Sequence, residues 1–193
     1  MPSIGQQPAR VEVCILAGGL SSRMGRDKAL LRLGGKTLLS HVKSAAAALK
    51  CPVRVVRRDL IPRCGPLGGV YTALKTTEAN RILFLSCDMP FIPASLLERM
   101  TPARSLKSRA VFVRHDERLG FPFLLPAESL AEVEDALRER RLALQELAMR
   151  LNARVIRPTR REAALLLNVN TPADLRRGQK LWTSFPSQKF FLA

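Results

Sequence analysis

Val11-Glu-Val-Cys-Ile-Leu16 runs directly into Ala17-Gly-Gly-Leu-Ser-Ser-Arg-Met-Gly-Arg-Asp-Lys28. The first six residues are apolar and β-branched, the pattern of a buried strand. The next twelve form a loop rich in Gly and Ser. Glycines at such a junction let backbone N–H groups turn inward and approach phosphate oxygens closely. Arg23 and Lys28 add two cations to the same loop, suited to a polyphosphate. A plain flexible turn is the competing reading, and Arg, Gly and Lys placed together after a buried strand weigh against it. Two familiar phosphate motifs fail on spacing. Gly18-Gly19-x5-Gly25 is not the G-x-G-x-x-G fingerprint, and Gly35-Lys36-Thr37 lacks the first glycine of a P-loop because residue 30 is Leu. Residues 35–37 read instead as a hairpin turn.

Outward from this junction, strands and helices alternate. Thr37 is placed to cap a helix whose apolar positions Leu38, Val42, Ala45 and Leu49 follow the helical repeat. Pro52 ends it, and Val53–Val56 reads as a second strand. Gly65-Pro-Leu-Gly-Gly69 predicts a tight turn before a helix over 70–77. Arg81–Ser86 is a third strand ending at Cys87-Asp88. Pro93 opens a helix over Ala94–Met100, and residues 109–113 form a fourth strand. Ser129-Leu-Ala-Glu132 has the capping-box pattern, and Leu130, Val133 and Leu137 continue on one helical face. A helix over 142–151 and a strand over 153–157 follow, and Thr171-Pro172 sets a helix start with Thr as its cap. The alternation predicts an α/β architecture with a mostly parallel sheet. No fixed-period repeat or low-complexity linker interrupts it, so residues 1–193 read as one domain, with 178–193 as a loosely attached tail.

Composition narrows the functional class. The 193 residues carry 32 Lys+Arg against 16 Asp+Glu, a net charge of +16, and 24 of the bases are Arg. That surplus favours anionic partners such as nucleic acid, an acidic surface or phosphorylated small molecules. Residues 13–58 hold ten bases and one acid, Asp27, and this block coincides with the glycine-rich loop. A phosphate site is the reading there. The eight Arg of residues 138–161 read as a solvated helical face. Residues 1–10 lack the apolar segment of a secretion signal, and the longest apolar runs fall far short of a membrane span. Cys14, Cys51, Cys64 and Cys87 have no C-x-x-C spacing and read as small thiols in a reducing, cytoplasmic setting.

Three further stretches carry chemistry. Asp88 stands just past the carboxyl end of an apolar strand, where open α/β sheets place their ligands. One or two carboxylates, completed by phosphate oxygens and water, are what Mg²⁺ commonly takes. In Asp59-x-x-Pro62-x-x-Gly65-Pro-Leu-x-Gly69, a rigid turn can wedge against a flat base and the carboxylate can accept from the N–H groups of guanine. Asn168-Val-Asn-Thr-Pro-Ala-Asp-Leu175 is a helix start whose Asn170 either caps only or also reaches a metal or substrate. His41 and His115 lack a nucleophile partner, so a hydrolytic triad has no support. Trp182 and Phe185, Phe190 and Phe191 read as local packing, and nothing in the aromatic pattern resembles an RNA-binding module.

Taken in order, L-A-G-G-x-S-x-R-M-G-x-D-K, D-x-x-P-x-x-G-P-L-x-G, C-D-M-P and N-V-N-T-P-x-D-L resemble the family of molybdenum cofactor guanylyltransferases, over residues 11–175. The resemblance implies a Rossmann-like three-layer sandwich of the nucleotide-diphospho-sugar transferase type. It implies an enzyme that joins GMP from GTP to the terminal phosphate of the molybdenum–molybdopterin cofactor and releases pyrophosphate. Leu16, Ala17, Gly18 and Lys28 match the family's residues for the phosphates and base, Asp59 its guanine-side Asp, and Asp88 its Mg²⁺ ligand. Arg23 and Lys28 would offset the charge that builds on pyrophosphate. Cofactor-delivery proteins and target molybdoenzymes are the implied partners. One departure stands out. The strand at Val53–Val56 runs almost directly into Asp59, so the Asn that family members carry before this turn is missing, with Arg57 or Arg58 in its neighbourhood. A CTP-dependent or other nucleotidyltransferase, and a non-catalytic nucleic-acid or partner-binding protein, are the alternatives.

Overall fold

A computed structural model describes residues 10–18, 28–101 and 109–184. Its centre is a six-stranded sheet made of β1 (Val11–Leu16), β4 (Val53–Val56), β5 (Arg81–Ser86), β6 (Val111–His115), β7 (Arg118–Pro126) and β8 (Arg154–Ile156), in the order β4-β1-β5-β7-β6-β8. β1 is parallel to β4 and β5, and β6 is parallel to β8. β7 alone runs against its neighbours β5 and β6. A separate two-stranded ribbon, β2 (Arg32–Leu33) and β3 (Lys36–Thr37), is joined by Gly34 and Gly35 with φ of 53° and 83°. Two successive left-handed residues make the tight hairpin that the Gly-Gly pair favours.

Strand alternation builds the three layers. Val13 and Ile15 of β1, with Leu83 and Leu85 of β5, pack on α1 (Leu38–Ala47) and α3 (Ala94–Met100). Cys14 and Leu16, with Ile82 and Phe84, face the opposite way onto α2 (Pro66–Lys75), α4 (Leu130–Arg138) and α5 (Leu144–Arg150). Both faces are covered, which is why the strands read as continuous apolar runs. A third cluster of Leu33, Leu38, Phe91 and Val169 joins the ribbon to α7 (Pro172–Ser184). Within the described residues no helix is long and apolar enough to cross a membrane. The four cysteines are free thiols, and burial pushes the Cys14 thiol up to about 12.

The elements depart from the sequence expectations in four places. First, α2 begins at Pro66, inside the stretch read as a turn. Gly65 serves as N-cap at φ 56° and Pro66 occupies the first turn, where its missing N–H costs nothing. Second, the capping box at Ser129 does not form, because Ser129 closes a short 3₁₀ turn and already has helical geometry. A capping box does start α6 (Arg160–Leu165): Thr159 Oγ1 accepts from the Glu162 N–H at 3.2 Å, and Glu162 Oε2 accepts from the Thr159 N–H at 2.7 Å. Third, the nine-residue β7 goes unpredicted because Gly120, Pro122 and Pro126 punctuate it. A left-handed pair at Asp116 and Glu117 (φ 47° and 58°) turns β6 back into it. Fourth, the stretch assigned to a loose tail continues α7 through Ser184. Gly178 is buried, and the Trp182 ring lies 4.8 Å from His41 and 6.5 Å from Phe91. Phe185, Phe190 and Phe191 lie outside the described residues. The eight Arg of 138–161 are all exposed, but they spread over α4, α5, β8 and α6 rather than along one helix.

Candidate active site

The chain leaves β1 through α1 to reach β4 on one side, then returns through α2 to β5 on the other side. The point where winding reverses leaves a crevice beyond the strand ends. There a cleft of about 730 Å³ is lined by Leu16, Ala17 and Gly18 after β1, by Arg57 and Asp59 after β4, and by Ser86, Cys87 and Asp88 after β5. Lys28, the Pro62–Pro66 loop and Phe121 of β7 complete the wall. The three strand ends are tied together. The Ala17 N–H donates to the Val56 carbonyl at 2.8 Å and the Cys87 N–H to the Leu16 carbonyl at 3.1 Å.

At the Asp88 end, Ser86 Oγ donates to Asp88 Oδ1 at 2.6 Å. Burial pushes the Asp88 carboxyl up from its usual range, and the Ser86 hydroxyl and the Lys28 charge pull against that push. Lys28 Nζ donates to Asn170 Oδ1 at 2.6 Å, across 142 positions of sequence. An ammonium only donates, so the amide must present its oxygen to it. The Asp88 carbonyl in turn accepts from the Val169 N–H at 2.8 Å. Residues 168–170 thus bind both the strand end and the lysine of the cleft. Asp174 Oδ2 fixes the same segment by accepting from the N–H groups of Asn170 (3.1 Å) and Thr171 (2.8 Å).

At the other end, the Asp59 carboxylate is partly buried and its pKa is raised for that reason. It lies over glycine backbone. A Cβ on Gly68 would meet Asp59 Oδ2 at 2.9 Å and the Ile61 carbonyl oxygen at 2.7 Å. Gly18 is confined in the same way, since a Cβ there would meet the Arg57 carbonyl oxygen at 2.9 Å. These close approaches are what the glycines permit.

Six residues singled out in the sequence, Leu16, Ala17, Gly18, Lys28, Asp59 and Asp88, therefore line one cleft. Arg23 lies outside the described residues. Of the two arginines preceding Asp59, Arg57 lines the cleft. Ser86 and Phe121 escaped the sequence reading: a hydroxyl two residues before an Asp has no distinctive spacing, and Phe121 belongs to the unrecognised β7. His41 does not line the cleft. Its Nε2 bonds the Leu33 carbonyl at 2.8 Å, and burial lowers its pKa.

The donor set suits a hard divalent cation completed by its ligand. No cluster of three or more His, Cys, Asp or Glu exists among the described residues. Asp88 is one carboxylate in a cleft, with its charge poorly hydrated. Such a site suits a divalent cation that takes one or two carboxylates and fills its other positions with phosphate and water.

Residues 13–155 match the family model of the MobA-like NTP transferase domain. A molybdenum cofactor guanylyltransferase of Rhizobium leguminosarum bv. trifolii is 30% identical over 202 residues, spanning 92% of this chain and 95% of its own length. A probable molybdenum cofactor guanylyltransferase of Opitutus terrae is 35% identical over 191 residues, spanning 86% and 93%. Among solved structures, molybdopterin-guanine dinucleotide biosynthesis protein A of Archaeoglobus fulgidus superposes with a TM-score of 0.71 at 22% identity, covering 90% of this chain and all (100%) of that one. The 2-C-methyl-D-erythritol 4-phosphate cytidylyltransferase of Thermus thermophilus gives 0.65 at 18% identity, covering 89% and 98%. At these identities the two structures speak for the fold, a nucleotidyltransferase sandwich. The sequence matches speak for descent: this chain belongs to the MobA-like NTP transferase family, the family of the molybdenum cofactor guanylyltransferases.

Proposed function

We propose that this protein transfers GMP from GTP to the terminal phosphate of the molybdenum–molybdopterin cofactor, forming the guanine dinucleotide cofactor and pyrophosphate. The observation that carries this reading is the gathering of Lys28, Asp59 and Asp88 in one cleft at the reversal point of the sheet. An oxygen of the acceptor phosphate forms a bond to the α-phosphorus of GTP. The bond from that phosphorus to the oxygen bridging the α- and β-phosphates breaks, and the electron pair leaves with pyrophosphate. The acceptor is already anionic at neutral pH, so the step needs no general base. What remains for the protein is alignment and charge stabilisation.

Each residue has a part in that work. Lys28, steadied by Asn170, supplies positive charge to the phosphates, as Arg23 would from the loop before it. Gly18 and its neighbours let the backbone come close to the nucleotide. Asp59 accepts from the N1–H and N2 amino groups of guanine. Asp88, oriented by Ser86, is the residue that would hold Mg²⁺, which when bound neutralises charge on the phosphate oxygens. Four free thiols are in keeping with a reducing cytoplasm. The guanine dinucleotide product would pass to molybdoenzymes or to proteins that deliver it.

Thermal stabilisation by GTP, ATP, CTP and UTP, each with Mg²⁺, tests the reading on the wild type and on Asp88→Ala. A ligand that binds only the native state raises apparent stability with its concentration. The expected result is a Mg²⁺-dependent rise selective for GTP and lost in the variant. A rise selective for CTP would replace guanylyl by cytidylyl transfer, and no rise with any nucleotide would overturn the activity.

A further inference from the structure

Arg63 stands on the same loop as Asp59, on the wall of the cleft. Its backbone is left-handed, with φ of 60°, a conformation uncommon outside glycine, Asn and Asp that Lys50, Glu117 and Arg140 also adopt, in turns that do not line the cleft. Its side chain is exposed and has no hydrogen bond or ion pair among the described residues. No protein partner therefore occupies the guanidinium. Arg63 lines the cleft with a side chain free to meet a ligand there.

The chemistry of the two side chains on this loop is complementary. Asp59 only accepts, and Arg63 only donates through a rigid fork. Guanine shows both kinds of edge: N–H donors at N1 and N2, and acceptors at O6 and N7. Arg paired with O6 and N7 is the commonest specific contact to guanine. A carboxylate alone does not suffice for selectivity, because it also accepts from the amino groups of adenine and cytosine. A guanidinium beside the base supplies the missing rejection. The N6 amino group of adenine would set donor against donor where guanine offers O6.

Resting on the guanylyltransferase reading, we infer that Arg63 is a specificity-determining residue, donating to the O6/N7 edge of the guanine whose N1–H and N2 amino groups Asp59 accepts. The test is equilibrium binding of Mg²⁺–GTP, Mg²⁺–7-deaza-GTP, Mg²⁺–ATP and Mg²⁺–CTP to the full chain, for wild type, Arg63→Ala, Arg63→Lys and Arg63→Gly. The preference of the wild type for GTP over ATP should fall about tenfold or more in Arg63→Ala. The penalty for removing N7, seen as weaker 7-deaza-GTP binding, should vanish with it. Arg63→Lys should recover little, since it keeps the charge and loses the fork. Arg63→Gly should show the same loss of selectivity with an unchanged or higher melting temperature, because glycine adopts this backbone freely, which separates reading the base from folding. Equal weakening of all four nucleotides would make Arg63 a phosphate contact and overturn the inference, as would an unaltered ratio of GTP to 7-deaza-GTP. A wild type without preference for GTP would instead overturn the guanylyltransferase reading, and Arg63's role with it.

Discussion

Burial makes the charge of Asp88 costly, and the Ser86 hydroxyl and the Lys28 ammonium offset only part of that cost. A carboxylate in this state gains most from a divalent cation and least from water. Replacing it by Asn keeps the size of the side chain, an oxygen for the Ser86 hydroxyl and the main-chain bond from Val169, while removing the charge. Asp88→Asn should therefore fold and melt within a few degrees of wild type. Its turnover should fall by about 10³-fold, as losses of transition-state charge stabilisation do. Steady-state kinetics with GTP across a Mg²⁺ titration would check this, and near-normal turnover would remove Asp88 from the metal role. Asp88 and Lys28 were legible in the sequence for a simple reason. A strand end and the lysine that closes a glycine-rich stretch are local patterns, and both residues line the cleft. Ser86 was not legible, since its role depends on which rotamer reaches the carboxylate.

At the scale of elements, two capping boxes compete for attention in the sequence, and only one is built. Ser129-x-x-Glu132 and Thr159-x-x-Glu162 share the pattern, but a 3₁₀ turn ahead of α4 puts Ser129 in helical geometry, whereas Thr159 is extended and free to cap. Glu162 also receives the Arg99 guanidinium and the Ser95 hydroxyl (3.2 Å), tying α6 to α3. Burial works against the Glu162 charge, but the Thr159 N–H, the Arg99 guanidinium and the Thr159 hydroxyl outweigh it and hold its carboxyl below the usual range. A carboxyl lowered by folding stabilises above its unfolded value, near 4.3, and loses that contribution as pH falls through the lower folded value. Glu162→Gln should thus cost about 1–3 kcal/mol at pH 7. The gap to wild type should stay constant down to about pH 5 and narrow below about pH 4. Chemical denaturation at a series of pH values would reveal this; a gap that widened in acid would contradict it. The ribbon and α7 meet just as specifically. A Cβ on Gly34 would lie 2.2 Å from the Trp182 indole, on a backbone of φ 53°. Gly34→Ala alone should be severely destabilising, and less so in a Trp182→Ala background, where only the backbone strain remains. A double-mutant cycle measures the difference, and strict additivity would show that the ring is not the obstacle.

The whole molecule explains why its C-terminal helix concerns the candidate active site although it lies past the 13–155 stretch matched by the family domain. Three strand ends supply the cleft floor, but Lys28 comes from a short 3₁₀ turn after the glycine-rich loop, a weak anchor for a charge that must be placed accurately. The anchor is borrowed from far along the chain. After α6, residues 168–170 return to the carboxyl end of β5, take the Asp88 carbonyl through the Val169 N–H, and present the Asn170 amide to Lys28. Asp174 and the apolar seat of α7 on Leu33, Leu38 and Phe91 hold that segment in place. No spacing rule could expose such a contact in the sequence, where the N-V-N-T-P stretch reads equally well as a plain helix start. The antiparallel β7 was hidden for the same kind of reason, because only its pairing with β5 and β6 shows that a Pro-punctuated run is a strand. If Asn170 merely began α7, Asn170→Ala would lower the melting temperature and leave nucleotide affinity alone. If it positions Lys28, the order reverses. The helix keeps its Asp174 and Thr171 bonds, so the melting temperature should fall little, while a lysine no longer held must be ordered by the ligand, and at about 1.5–2 kcal/mol of side-chain freedom GTP binding should weaken by about tenfold or more. Calorimetric titration of GTP with Mg²⁺ set beside a thermal melt of the same variant decides between the two. A variant that melts early yet binds GTP like wild type would confine Asn170 to capping.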